Sequence, residues 1–100
     1  MLPKKRRPTP PGEILRYEFL EPLGITQKQL AEALEITRVQ INEIIQGKRA
    51  ITPDTAFRLS RFFDTTAEFW MRLQMDIDMW DILQSRKSEY KKIRPASAAV

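Results

Sequence analysis

One hundred residues, 42% hydrophobic and 30% charged, suffice for one domain with its own core and leave no room for a second. Cysteine and histidine are absent, which removes disulfides, zinc sites built on Cys or His, and the common histidine and thiolate routes of catalysis. The net charge is +4, yet Lys4, Lys5, Arg6 and Arg7 contribute +4 before Gly12 and the segment 84–100 contributes another +4, so the body between them carries −4; a polyanion partner must then be met by a local basic surface or by basic arms.

Residues 1–10, with three prolines and the basic cluster, read as a flexible arm. Pro10, Pro11 and Gly12 suit the entrance of a first helix. Its Ile14, Leu15, Phe19 and Leu20 recur at helical spacing until Pro22 and Gly24 stop it. The next segment, Ile25 to Gly47, repeats one local pattern twice. Thr26 can cap a helix while Gln29 reaches back to it, with Ile25 as a staple on Leu30; Thr37, Gln40, Ile36 and Ile41 repeat the arrangement. Two capped helices, roughly Gln27 to Leu34 and Arg38 to Gln46, separated only by Glu35 and Ile36, must turn sharply against each other. That is the geometry of a helix-turn-helix, whose second helix enters a DNA major groove. Glu35 stands where such turns favour a left-handed glycine, at a cost of about 1 kcal/mol. Gly47 suits a left-handed cap.

A fourth helix opens at Thr52 and Pro53, burying Ala56, Leu59 and Phe63 and ending near Asp64. The fifth starts with Thr65 as cap and Glu68 three residues on, and runs to about Gln84. At about 100° per residue it carries two apolar stripes. Phe69, Leu73, Ile77, Trp80 and Leu83 form one, with Trp70 at its edge; Met71, Met75, Met79 and Ile82 form the other, on nearly the opposite side. The remaining helices of a small domain can cover only one, so the methionine stripe is expected to meet another chain. The chain is thus read as all-α: a compact five-helix helix-turn-helix domain over 11–84, between the basic arm 1–10 and a basic C-terminal tail 85–100. No run approaches the roughly 20 apolar residues of a membrane span, and the basic start lacks the apolar stretch of a secretory signal, so a cytoplasmic protein is expected.

With Ile41, Ile44 and Ile45 towards the core, Val39, Asn42, Glu43 and Gln46 face outward on the recognition helix, flanked by Arg38 and Gln40. Asn42 can pair both edge groups of adenine, Arg38 can reach guanine or phosphate, and Val39 can touch a thymine methyl. Glu43 can accept from cytosine, orient Arg38, or only repel phosphate. Gln27 and Thr37 are expected to hold phosphates, and Lys28, Lys48 and Arg49 to add charge at the edges. Gln29 is expected only to complete its capping box, whereas Gln40 can both cap and read. Asp76, Asp78 and Asp81 look like a solvated helix face rather than a catalytic or metal cluster, and neither cofactor nor enzymatic activity is expected.

From Pro11 to about Trp80 the chain resembles the HigA-type antitoxins of the XRE, or lambda-repressor-like, helix-turn-helix group. The resemblance rests on PGEILRYEFLEPLGIT at Pro11 to Thr26, INEIIQGKRAIT at Ile41 to Thr52, DTAFRLSRFFDTTAEFWMRLQ at Asp54 to Gln74, and DMW at Asp78 to Trp80. It implies a homodimer that binds an inverted-repeat operator, represses its own operon, and inhibits a HigB toxin, a RelE-like ribonuclease that cuts messenger RNA at the ribosome. By position, the family's operator-reading residues fall on Thr37, Arg38, Val39, Gln40 and Asn42, and its phosphate contact on Gln27. The arm at Lys4 to Arg7 and the tail from Ser85 to Val100 lie outside the matched region. Two other readings stand beside this one: a solitary XRE-type repressor without a toxin, and a protein-interaction module whose helix-turn-helix is only a scaffold. The apolar end, Ala96 to Val100, is read as a frayed terminus in preference to a handle for proteolysis.

Overall fold

A computed structural model describes residues 6–99, all in helices and connections. Lys4 and Lys5 of the expected basic arm, and Val100 of the expected frayed end, lie outside the described residues. The first helix, α1, is continuous but not uniform: an α-turn at Pro11–Ile14, a π-helical stretch at Leu15–Leu20 and a last turn at Glu21–Leu23. The wider stretch has a packing consequence, because i→i+5 bonding brings residues five apart onto one face, and Leu15 and Leu20 are both buried. Gly24, at φ 66°, ends the helix. Helix α2 (Gln27–Leu34) and helix α3 (Arg38–Ile45) follow.

Both expected capping boxes are formed. Gln29 N–H donates to Thr26 Oγ1 at 3.0 Å, and Thr26 N–H donates to Gln29 Oε1 at 2.9 Å. The second box has the same two bonds between Thr37 and Gln40, at 3.1 and 3.2 Å. Between the helices Glu35 does adopt the left-handed conformation, φ 58°, and the Ile36 N–H reaches back to the Ala31 carbonyl. A guanidinium from the helix at Pro53–Phe63 relieves this helix end: Arg58 donates to the Leu34 carbonyl at 2.7 Å, putting a cation where the α2 dipole is negative.

Helix α4 (Pro53–Phe63) is capped by Thr52 and ends at Asp64, again left-handed at φ 55°. Helix α5 (Ala67–Lys91) is capped by Thr66, one residue after the expected Thr65. The displaced threonine has another partner: the Trp70 indole N–H donates to Thr65 Oγ1 at 2.8 Å. The helix also passes the expected end at Gln84, because nothing from Ser85 to Lys91 is a glycine or proline, although Arg86 departs from helical geometry at φ −124° and ψ 19°. A short turn, α6 (Ala96–Ala99), closes the described chain.

The core joins Leu15 and Leu20 of α1, Leu30, Ala31 and Leu34 of α2, Ile41 and Ile44 of α3, Ile51, Ala56 and Leu59 around α4, and Trp70 of α5. Phe19 lies 4.9 Å from Phe63 and 5.0 Å from Trp70, ring centre to ring centre. This arrangement corrects the expected stripe on α5. Trp70 is fully buried rather than at an edge, Phe69 is 38% exposed, and the inward sector is Trp70, Leu73, Gln74 and Ile77. The helix is rolled by about one residue from its apolar maximum because Gln74 finds partners inside: its Oε1 accepts the Ile51 N–H at 2.8 Å, and its Nε2 donates to Asp78 at 2.9 Å. A buried amide with both ends bonded costs far less than an unpaired one.

Gly12 fixes where α1 meets the recognition helix. A Cβ there would collide with the Ile44 carbonyl oxygen and lie 2.8 Å from that of Ile45, so only glycine admits this approach of the two backbones.

Candidate nucleic-acid interface

Helix α3 is anchored from beneath by Ile41 and Ile44, with Ile45 half-buried, and this anchoring turns Arg38, Val39 and Gln46 to solvent. Val39 is 65% exposed. Thr37, capping the helix, is also exposed. Gln40 is half-buried with its amide oxygen committed to the cap.

Gln27 and Asn42, fifteen residues apart, meet where the two helices cross. The Asn42 amide donates to Gln27 Oε1 at 3.2 Å, and both side chains are half-buried. A primary amide has two donors and an acceptor oxygen, so this bond leaves Asn42 one N–H and its oxygen, the pair that matches the adenine edge, and leaves Gln27 both of its N–H groups. Together the two residues form a braced unit.

Glu43 has a partner that none of its three expected roles named. Its Oε1 accepts from Arg49 Nη2 at 2.7 Å and from Nε at 2.9 Å, so Glu43 pairs with Arg49 and not with Arg38. Its backbone carbonyl accepts the N–H groups of Lys48 and Arg49, and Gly47 turns the chain at φ 76°. Part of Arg49's charge is thereby offset within the protein. Among the described residues, Lys28, Arg38 and Lys48 form no ion pair, and all three are exposed.

Beside this loop runs the end of the N-terminal arm. Arg7 and Asp81 form a two-pronged ion pair, 2.9 Å on each side, which fastens the arm to α5. The bond from Arg7 holds the Asp81 carboxyl below its ordinary range, and the same bond raises the guanidinium further. Arg7, Gly12, Gln46, Lys48 and Asp81 border one hollow of about 460 Å³. Of the three aspartates expected on a solvated face, Asp78 and Asp81 are exposed, Asp81 holding Arg7 and Asp78 holding Gln74, whereas Asp76 Oδ1 is buried without a partner among the described residues.

On the far side of α5 the methionine stripe is uncovered for most of its length. Met75, Met79 and Ile82 are 50, 60 and 40% exposed, whereas Met71 is drawn partly into the core. With Ala50 and Ile51 they line an apolar groove of about 660 Å³, with Glu68, Arg72 and Asp78 at its margin. No helix among the described residues is long and apolar enough to cross a membrane, and no cluster of potential metal ligands occurs among them.

Comparison with known proteins places the helix-turn-helix family on residues 17–70. An uncharacterised helix-turn-helix transcriptional regulator of Escherichia coli, YbaQ, is 42% identical over 84 residues, covering 84% of this chain and 74% of its own. Antitoxin HigA-1 of Vibrio cholerae is 41% identical over 91 residues, covering 91% of this chain and 86% of its own. The solved structure of Pseudomonas aeruginosa antitoxin HigA with the higBA promoter superposes with a TM-score of 0.86 at 40% identity, covering 90% of this chain and 99% of that one. The braced pair on α2 and α3, the capped turn between them and these similarities agree: the chain belongs to the HigA-type branch of the XRE helix-turn-helix family.

Proposed function

We propose that this protein is the DNA-binding antitoxin of a type II toxin–antitoxin module, which represses its own operon and neutralises a HigB/RelE-like toxin that cleaves messenger RNA. The observation that carries the DNA half is the outward side of α3: an anchored helix presenting Arg38, exposed Val39 and a braced Asn42 with an adenine-matching donor and acceptor still unused. Likeness to a HigA solved with its promoter supports it. The toxin half rests on family membership.

In this reading Arg38, Val39, Gln40 and Asn42 meet base edges. Gln27, Thr37, Lys28 and Lys48 hold phosphates, and Gln46 lies along the groove wall. Glu43 acts through Arg49, which it holds beside the backbone. Two protomers joined through Met75, Met79 and Ile82, with Met71 behind them, place two recognition helices about 34 Å apart on an inverted repeat. The domain at 11–84 does the reading, and the arm 1–10 and tail 85–100 lend it positive charge against a body of −4. A cytoplasmic protein, gathered on the nucleoid when bound to its operator, fits this role, and neither catalysis nor a cofactor enters it.

The test is an operator titration by gel shift, with DNA taken from upstream of the protein's own gene. Arg38→Ala is expected to weaken specific binding by about 1–3 kcal/mol and to relax preference at one base position. Unchanged affinity refutes the base-reading assignment. The toxin half predicts that the chain co-purifies with a small protein encoded beside it and relieves that protein's growth arrest. A second reading is a transcriptional regulator without a toxin, in keeping with the E. coli relative YbaQ, a helix-turn-helix transcriptional regulator, and the absence of any such neighbour would select it.

A further inference from the structure

The run EFWMRLQ ends in Gln74, and Gln74 is one of only two polar residues buried among the described residues. Burial of an amide in a core this small calls for a reason, since leucine fills a similar volume without needing partners. Both of its ends are used. Oε1 accepts the N–H of Ile51, and Nε2 donates to Asp78. Ile51 is the first residue after the loop 46–50, which carries Gln46, Lys48 and Arg49. At its start this loop is held by Glu43, whose carbonyl receives the Lys48 and Arg49 N–H groups and whose carboxylate receives the Arg49 guanidinium. At its end it is held by Gln74. Ala50, Gln74 and Asp78 also form the shared wall between the hollow beside the loop and the methionine groove.

We propose that Gln74 is a positioning residue for DNA binding: from α5 it fixes the end of the loop 46–50, so that Lys48 is presented to the phosphate backbone in one geometry. The proposal rests on the DNA-binding reading above and gives that reading a further residue. Gln74 never touches DNA. Without its acceptor the Ile51 N–H has no partner, the loop end is released, and Lys48 falls back to a mobile charge that contributes little beyond diffuse attraction.

A double-mutant cycle tests this, using the full chain and a duplex from upstream of its own gene, with affinity followed by fluorescence anisotropy across a salt series. Gln74→Leu is expected to reduce affinity about tenfold, the scale of one charge-assisted hydrogen bond lost between Lys48 and a phosphate. It should also make the salt slope shallower by about 1, the loss of one phosphate contact. In that background Lys48→Ala is expected to cost almost nothing more, whereas Arg38→Ala keeps its full effect. If the Gln74→Leu and Lys48→Ala effects multiply as independent losses, the positioning role is overturned. Exchanging donor and acceptor with Gln74→Glu and Asp78→Asn together preserves an oxygen for Ile51 and a donor across from it. That pair should restore both the slope and the sensitivity to Lys48→Ala; failure to restore them also counts against the proposal. Retained near-ultraviolet circular dichroism in each variant separates these outcomes from unfolding. If Arg38→Ala is itself without effect, the base-reading assignment has failed, not the role of Gln74.

Discussion

Helices α3 and α5 each bury one side and offer another to the outside, but they do so with opposite chemistry. The outward side of α3 is polar apart from Val39, and part of it is already cross-braced: Asn42 leans on Gln27, Glu43 holds Arg49, and Gln40 is tied into the cap. The outward side of α5 is Met75, Met79 and Ile82, whose exposed apolar side chains offer no directional hydrogen bonds. Directional groups held in advance suit a partner of fixed geometry, such as the edges of stacked base pairs. Methionines that repack suit a protein surface, where many arrangements bury similar area. On the proposed reading the two helices divide the work of recognition by the rigidity of what they present.

The sharpest test of that division compares the two sides of α5. Trp70→Ala empties the centre of the aromatic cluster and also strands Thr65, so it should cost about 3–5 kcal/mol of stability, measured by urea unfolding, and a domain of this size will barely survive it. Met79→Glu lies on the same helix, two turns and a half further on. It should leave the unfolding of the isolated protomer within about 0.5 kcal/mol, as for other surface changes. In sedimentation equilibrium, however, the same change should weaken self-association by about 2 kcal/mol or more. A dimer unaffected by Met79→Glu would remove the methionine stripe from the interface and break the comparison.

The next test asks whether the bracing on α3 matters or is incidental. Asn42→Ala removes the base-edge amide, and a loss of about 1–3 kcal/mol in operator affinity is expected. Gln27→Ala removes the brace and, on the proposed reading, a phosphate contact. If the brace orients Asn42, the double variant loses less than the two single losses combined, with a coupling of about 0.5 kcal/mol or more. Simple additivity would mean that Gln27 and Asn42 serve DNA independently.

Most local signals of the fold were legible in the chain, although the α5 cap lay one residue on and its end beyond Gln84, and the rotational ones were not. Thr26, Gln29, Thr37 and Gln40 lie within four residues of their partners, so their bonds follow from spacing alone. The two positive φ angles at Gly24 and Gly47 follow from residue type in the same way. The roll of α5 depended on distant groups. An apolar pattern puts Phe69 inward, but the helix settled around Trp70 and Gln74 because Thr65 and the Ile51 N–H were placed to receive them. At the candidate interface, exposure of Arg38 and Val39 was readable from the isoleucine spacing. The pairing of Glu43 with Arg49 was not, since it depends on how Gly47 swings the loop back, and spacing permits Arg38 equally well. Gln74 escaped because a glutamine on a helix is ordinarily a surface residue.

The smallest expected effect concerns the arm, which stands outside the comparison and so bounds it. Arg7 and Asp81 are both about half exposed, and a pair of this kind contributes at most about 1 kcal/mol. Its pH dependence has a definite sign. The bond from Arg7 holds the folded-state pKa of Asp81 below its unfolded value, so the pair's contribution is fully present above the ordinary carboxylate range and is lost as pH falls through the lowered value. The raised Arg7 stays charged throughout that window. The stability difference between the native protein and Asp81→Asn should therefore be level from about pH 7 down to about pH 5, and should shrink towards zero below about pH 4. Thermal unfolding across that range at low salt reads it directly. A gap that persists unchanged at the acid end would show that Asp81 contributes by packing, and that the arm is not fastened to α5 by charge.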